Sequence, residues 1–241
     1  MSANNDDRIF LCHASEDKNK VAEMYKRLES SSLNPWIDKE DIPPARDWDE
    51  EIAKTIQGAR LVIICFSHHL ISKRNGYVQR EIEIALNTLR SMPQSITFII
   101  PVRLDDCRVP DDFKRLRQFD LFEKEGFDLL LDFIKAELHL FTDSRDGQIY
   151  KTIVIGTQTW LARNLNYQIK DSWLYDNDPG NEKPYGRLYT WEAAQQARPD
   201  GWHIPSDLEW QSLYQTAIKV GLSSSGRSRG IGCSFFPGAI G

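Results

Sequence analysis

Cysteine is scarce in this sequence and scattered. Cys12, Cys65, Cys107 and Cys233 are the only four. None forms a CxxC, so neither a zinc site nor a disulfide framework is indicated. Cys12 and Cys65 lie in apolar, strand-like runs and read as small buried hydrophobes. Long apolar runs are missing too; the longest falls far short of the roughly 20 residues that cross a bilayer. The opening MSANNDDR is polar and acidic and has no signal-peptide core. No basic block is long enough to make nucleic acid the main partner, and the formal net charge is −5. There is no G-x-G-x-x-G and no Walker loop, so the usual dinucleotide and phosphate cradles are lacking. Together these features predict a soluble protein of a reducing cytoplasm, with no metal, no bound cofactor, and neither membrane nor nucleic acid as partner.

What is present is organised around Leu61 to Leu89. Leu61 to Phe66 is a continuous apolar run, too short for a long helix and β-branched enough for a strand buried on both faces. A polar loop follows from Ser67 to Gly76, and an ordered pattern resumes at Tyr77. There Ile82, Leu86 and Leu89 fall at helical spacing and are expected to face a core. Tyr77 and Glu81, four apart, are expected to share a different face near the helix start. Glu81 has Tyr77 at i−4 and Ala85 at i+4, and neither is basic. That favours a carboxylate kept for some role other than a routine surface ion pair. The plain alternative is a Glu placed near a helix N-terminus to complement the macrodipole.

The 241 residues suffice for one large domain or two ordinary ones. Residues 1–7 read as a disordered tail. Arg8–Cys12 reads as a strand, and Lys18 to about Ser30 as a helix with Val21, Met24, Tyr25 and Leu28 on one stripe, capped by Ser15 or Asp17. Pro35–Ile37 reads as a second strand, DKEDIPPARD as a long loop, and Trp48 to about Gln57 as a helix. Ile96–Val102 is a fourth strand, Gln118–Phe122 a fifth at the edge, and Phe127–Leu138 a closing helix. Strands alternating with helices at this spacing predict right-handed βαβ units and a flavodoxin-like, doubly wound, parallel five-stranded sheet.

Near Leu140 the character changes. Residues 142–241 lose the alternation and become rich in Trp, Tyr, Gly, Asn and Asp, with short strands at Tyr150–Ile155 and Thr159–Leu161. Turn clusters separate them at Asp143–Gly147 and Asp176–Gly180. A helix from Ser206 to about Lys219 opens with a capping box, Ser206 and Glu209. This predicts a second, smaller and irregular α+β domain over 142–241, weakly ordered from Gly221 on. Trp160, Trp173, Trp191, Trp202 and Trp210 are expected in its core and not on a sugar-stacking face. Asp176, Asn177 and Asp178 are expected to form a plain turn and not a calcium site. His68 and His69 are adjacent, but further metal ligands are not evident.

Four pieces in order carry a resemblance: RIFLCHASEDK, PWIDKEDIPPARDWDEEI, ARLVIICFS and SKRNGYVQREIEIAL. Residues 8–139 resemble a bacterial TIR (Toll/interleukin-1 receptor) domain. Some members of that family cleave NAD+ between nicotinamide and ribose, and in those the catalytic Glu stands four residues after an aromatic residue. The resemblance therefore implies Glu81 as catalytic and Tyr77 as the aromatic, where relatives often have Trp. It also implies His13, Ala14 and Ser15 as a substrate-lining loop and Trp48 as a further substrate contact. Pro43-Pro44-Ala45 departs from the Pro-Gly of many relatives. Lys73 and Arg74 are read either as steering the pyrophosphate or as a solvated loop.

TDSRDGQIYKTIVIGTQTWLARNLNY, YGRLYTWEAA and GWHIPSDLEW make residues 142 to about 215 resemble the Fibrobacter succinogenes major paralogous domain, related to C-type-lectin-like folds. Members of that family continue beyond the end of this chain, so the domain is expected to be incomplete after about residue 220. The two resemblances imply an NAD+ glycohydrolase giving nicotinamide and ADP-ribose or a cyclic ADP-ribose, with NAD+ as substrate and not as cofactor. They further imply self-association through the TIR domain, an unidentified ligand or protein on the C-terminal domain, and a setting in prokaryotic antiviral defence. The rival expectations are a non-enzymatic TIR scaffold and a receptor for a TIR-made cyclic ADP-ribose.

Overall fold

The apolar run Leu61–Phe66 becomes the middle strand of a parallel sheet, and every one of its residues is buried. The computed structural model describes residues 7–37, 48–73, 76–93, 95–219 and 237–238, with backbone only at 48–50, 217–219 and 237–238. Residues 1–6 of the tail expected over 1–7, the long loop DKEDIPPARD, Arg74, Cys233 and most of the stretch from Gly221 on lie outside the described residues. Two units make up the chain, Met1–Glu137 and Leu138–Gly241.

In the first unit β1 (Arg8–His13), α1 (Lys18–Ser30), β2 (Asn34–Trp36), α2 (Trp48–Gln57) and β3 (Leu61–Phe66) follow one another. Next come α3 (His68–Ser72), α4 (Tyr77–Arg90), β4 (Ile99–Arg103), β5 (Phe119–Asp120) and α5 (Gly126–Glu137). All strand pairs are parallel, and the order is β2-β1-β3-β4-β5. That is the flavodoxin-like, doubly wound arrangement. In register, Phe10 faces Val62 and Cys12 faces Ile64. These alternate residues join Ile52 and Ile56 of α2, Leu70 of α3, and Val78 and Ala85 of α4 in one core. Neither α1 nor α5 contributes to it. Ile9, Leu11, Leu61 and Ile63, equally buried, point to the opposite face. On α1 and α5, Arg27 lies 3.6 Å from the Phe127 ring centroid.

β4 starts three residues later than the apolar pattern predicts, at Ile99, where pairing with Val62 begins. Ile96 is instead 41% exposed. Pro101 sits inside β4 and is tolerated because β5 reaches only Val102 and Arg103. On α4 the buried stripe is Val78, Glu81 and Ala85, while Ile82, Leu86 and Leu89 pack against the core half-covered. Asp17 corrects the capping expectation. It occupies the N-cap of α1, yet its side chain makes no cap bond.

In the second unit β6 (Leu140–Thr142), β7 (Ile149–Ile155) and β8 (Gln158–Leu161) precede β9 (Ser172–Trp173), α6 (Glu182–Tyr185) and β10 (Leu188–Tyr189). α7 (Trp191–Ala197), α8 (Asp207–Lys219) and β11 (Pro237–Gly238) complete it. Four strands pair antiparallel as β11-β8-β7-β6, and β9 and β10 form a separate ribbon. Tyr150, Leu161, Leu165, Ala197 and Trp202 make the core. Trp160 is also buried, with the Trp210 ring tilted against it at 5.3 Å between centroids. Trp173 and Trp191 correct the expectation of five core tryptophans, being 41% and 65% exposed. The first stands outward on a two-residue strand, and the second opens a short helix whose buried positions are Ala193 and Ala197. Ser206 and Glu209 form the predicted capping box, with Ser206 N donating to Glu209 Oε2 at 2.7 Å.

Candidate active site

Chain order reverses between β1 and β3, because β2 lies on one side of β1 and β3 on the other. Open α/β sheets bind ligands at such a reversal, at the carboxyl ends of the strands. Here that rim is built from the last residue of β1, His13, the residues after it to Asp17, and those after β3 (from Ser67), with the start of α4 alongside. α4 packs over β1, where the Cys12 thiol lies 3.9 Å from the carbonyl of Val78.

Gly76 leads into α4 at φ +145°, a conformation that L side chains rarely adopt. As the N-cap, Gly76 has no side chain with which to cap this helix. Glu81, its fifth residue, is 5% exposed and lies on the inward stripe between Val78 and Ala85. A carboxylate in an otherwise apolar stripe is costly unless its surroundings compensate it, and this marks the position as unusual. Tyr77 does not share that face: its ring is 69% exposed. As the first helical residue it has no preceding turn to lie over. His13 ends β1 at 9% exposure, Ala14 is buried, and Ser15 opens a short 3₁₀ turn, exposed. Trp48 begins α2, and its side chain lies outside the described residues. The rim thus gathers the ends of β1 and β3 and the first turns of α4, with Glu81 and the loop His13–Ser15 on them. Tyr77 stands at the outer edge.

A group of polar residues whose connection the sequence did not show joins these elements. Asp17 is 2% exposed. Ser67 donates its hydroxyl to Asp17 Oδ2 at 2.5 Å, and the Nδ1 of His69 stands 3.0 Å from Oδ1. Ser67 also caps α3 by accepting the N–H of Leu70 at 3.0 Å. Because that hydroxyl is wholly buried and doubly engaged, it is not a nucleophile. His68 pairs through Nδ1 with Asp105 Oδ1 at 2.9 Å. Lys73, a candidate for steering the pyrophosphate, is held by Glu16 at 2.5 Å. The Lys73 ammonium, through that hydrogen bond, holds the exposed Glu16 carboxyl below its usual range. Burial, followed by the charge of Asp17, pushes the Cys65 thiol far up; burial with Asp105 raises Cys107 to about 11. Neither thiol is a nucleophile at neutral pH. The signal for this group was thin: a Ser directly after the apolar run and an Asp in a capping turn, fifty residues apart.

Farther along the rim Arg103 grips Asp120 through two hydrogen bonds of 2.6 Å and pins the edge strand. In the second unit the conspicuous polar feature is Asp143, 1% exposed and held by Arg145. Among the described residues no helix is long and apolar enough to cross a membrane.

The TIR domain family model matches residues 9–131, and the model of the Fibrobacter succinogenes major domain matches residues 153–230. Among curated proteins nothing matches the chain at a significant level. Among solved structures, the TIR domain of the Toll-related receptor TRR-2 from Hydra magnipapillata is similar at 20% identity and TM-score 0.45. The similarity covers 53% of this chain and 97% of that one. The TIR domains of the activated Roq1 resistosome, recognising the effector XopQ, align at 18% identity and TM-score 0.36, over 54% of this chain and 72% of theirs. A prokaryotic SEFIR domain aligns at 18% and 0.41, over 54% and 96%.

Proposed function

Because the chain belongs to the TIR domain family, we propose that its first unit is an NAD+ glycohydrolase that uses Glu81 against the nicotinamide-bearing ribose. The observation that supports this reading is a carboxylate in the first turns of α4, the helix that packs over the end of β1 beside the strand-order reversal. In this reaction the ribose–nitrogen bond breaks with its electron pair passing to nicotinamide, which leaves neutral. Positive charge builds on the sugar ring as in an oxocarbenium ion. An ionised carboxylate beside that ring stabilises the charge as it develops, and a strong general acid is not needed. Water then takes the ribosyl cation to ADP-ribose and a proton, or a nitrogen of the same molecule's adenine closes a cyclic product. The loop His13–Ser15 lines the pocket, with Tyr77 at its outer edge and Trp48 as a further substrate contact. The second unit binds a ligand or protein partner, and its engagement assembles the TIR units in a cell-defence response.

The competing reading is a non-enzymatic TIR scaffold. The low exposure of Glu81 favours it, since a substrate has to reach that carboxylate. The test is to incubate the purified chain with NAD+ over a wide protein concentration range, and again with the chains forced together on beads, resolving products by mass. Nicotinamide release that rises with assembly supports the hydrolase. Assembly without release at any concentration supports the scaffold.

A further inference from the structure

At the strand-order reversal the two strand ends are tied together, and the tie leads to the helix that carries Glu81. Asp17 has both carboxylate oxygens engaged from the far side of the reversal, one by the Ser67 hydroxyl at 2.5 Å and one by the His69 ring at 3.0 Å. It gives up capping α1 to do so. Ser67 fixes the start of α3 through the N–H of Leu70. The far end of α3 is tied in turn: Gln79 donates its amide to the carbonyl of Lys73 at 2.7 Å and to that of Leu70 at 3.5 Å. Gln79 lies in the first turn of α4, two residues before Glu81. A second link runs in parallel, from Glu16 to Lys73. The Asp17 carboxylate is buried, and among the described residues no Lys or Arg contacts it, so the hydroxyl and imidazole are what compensate it.

We propose that Asp17 is a positioning residue of this site: through Ser67 and His69 it clasps the loop after β1 to α3 and so fixes the first turns of α4 and the place of Glu81. The proposal deepens the hydrolase reading and rests on it for its catalytic consequence. Its structural consequence stands apart from that reading and is measured separately.

The test uses the whole chain with Asp17→Asn, Ser67→Ala, Ser67→Thr and His69→Ala. His69 is 56% exposed, so its truncation leaves the fold intact. Hydrogen exchange read by mass spectrometry over residues 68–81 reports the clasp. Nicotinamide release under forced assembly reports its effect on the site. Asp17→Asn, Ser67→Ala and His69→Ala are expected to speed exchange in that segment about tenfold, the loss of one hydrogen bond to a charged group. Ser67→Thr restores the hydroxyl and much of the protection. The combination of Ser67→Ala with His69→Ala falls short of the product of the two, because both act through Asp17. In turnover, kcat falls about tenfold or more with KM within about twofold, the signature of a misplaced transition-state contact. Unchanged exchange over 68–81 in Asp17→Asn overturns the proposal whatever the activity. Faster exchange with unchanged kcat overturns the positioning role. Should the wild-type chain release no nicotinamide at all, the hydrolase reading fails, and the exchange data alone decide the clasp.

Discussion

Removing the Arg145 side chain tests how the second unit holds its first turn. Asp143 directly follows β6 and is 1% exposed. Arg145 meets it with a two-point grip, Nε to Oδ1 at 2.9 Å and Nη2 to Oδ2 at 2.6 Å. The same guanidinium donates to the carbonyls of Ala197 at 2.7 Å and Arg198 at 3.1 Å, and lies 3.8 Å from the Tyr167 ring centroid. Arg145→Ala therefore strands a buried carboxylate. Breaking such a pair by removing one partner costs about 3–5 kcal/mol. The lower end applies, because Asp143 keeps the backbone N–H of Arg145 at 3.1 Å, so the expected loss is about 3 kcal/mol. The pH dependence has a definite sign. Burial works to raise the Asp143 carboxyl, but the Arg145 hydrogen bonds and charge prevail and hold it below its usual range. A carboxyl depressed in the folded state gives stability that is complete above its unfolded value, about 4, and lost as pH falls through the lower folded value. The deficit of Arg145→Ala is thus largest near pH 7 and shrinks below about pH 4. Urea unfolding followed by tryptophan fluorescence measures it, since Trp160, Trp202 and Trp210 pack in this unit. Arg145→Lys, which keeps the charge without the planar fork, should recover less than half. A deficit under about 1 kcal/mol, or one equally large at pH 3 and pH 7, refutes the reasoning.

Two further outcomes follow from packing and from thiol chemistry. A Cβ on Gly126 would lie 1.8 Å from the backbone oxygen of Asp120 and 2.7 Å from its carbonyl carbon, so Gly126→Ala has to shift β5 or α5. Thermal unfolding should show a loss of about 3 kcal/mol or more, and a near-neutral Ala would contradict the close approach. Cys12, Cys65 and Cys107 are buried, and burial raises the thiols of the last two. In native protein at pH 8 all three should resist a thiol reagent for hours and react at once in denaturant; fast native labelling of any of them would be inconsistent with this packing.

The sheet was legible where one residue class decides the outcome. Leu61–Phe66 announces a strand buried on both faces because nothing in it tolerates water. The box Ser206–Glu209 announces a helix start because both partners are local. What was not legible depends on distant neighbours. Ile96 is as apolar as Ile99, but the ladder begins only where Val62 stands opposite. The α4 pattern pointed to Ile82, Leu86 and Leu89, whereas the most buried stripe also takes in Glu81, because the helix packs against both β1 and α2. Asp17 looked like a cap, since the sequence cannot display a serine fifty residues away. Trp173 and Trp191 looked like core because hydrophobicity is visible in sequence, whereas an outward place on a two-residue strand or at the start of a short helix is not. At the candidate site, the helix and strand ends that carry Glu81 and His13–Ser15 were readable; the polar clasp between them was not.

The central claim is that the Glu81 carboxylate stabilises charge on a ribose ring. The most direct measurement is nicotinamide release from NAD+ by forcibly assembled protein, wild type against Glu81→Ala and the isosteric Glu81→Gln, each checked for folding by circular dichroism. The account predicts turnover by wild type and a loss of about 100-fold or more in both variants. Equal release by Glu81→Gln and wild type would contradict it.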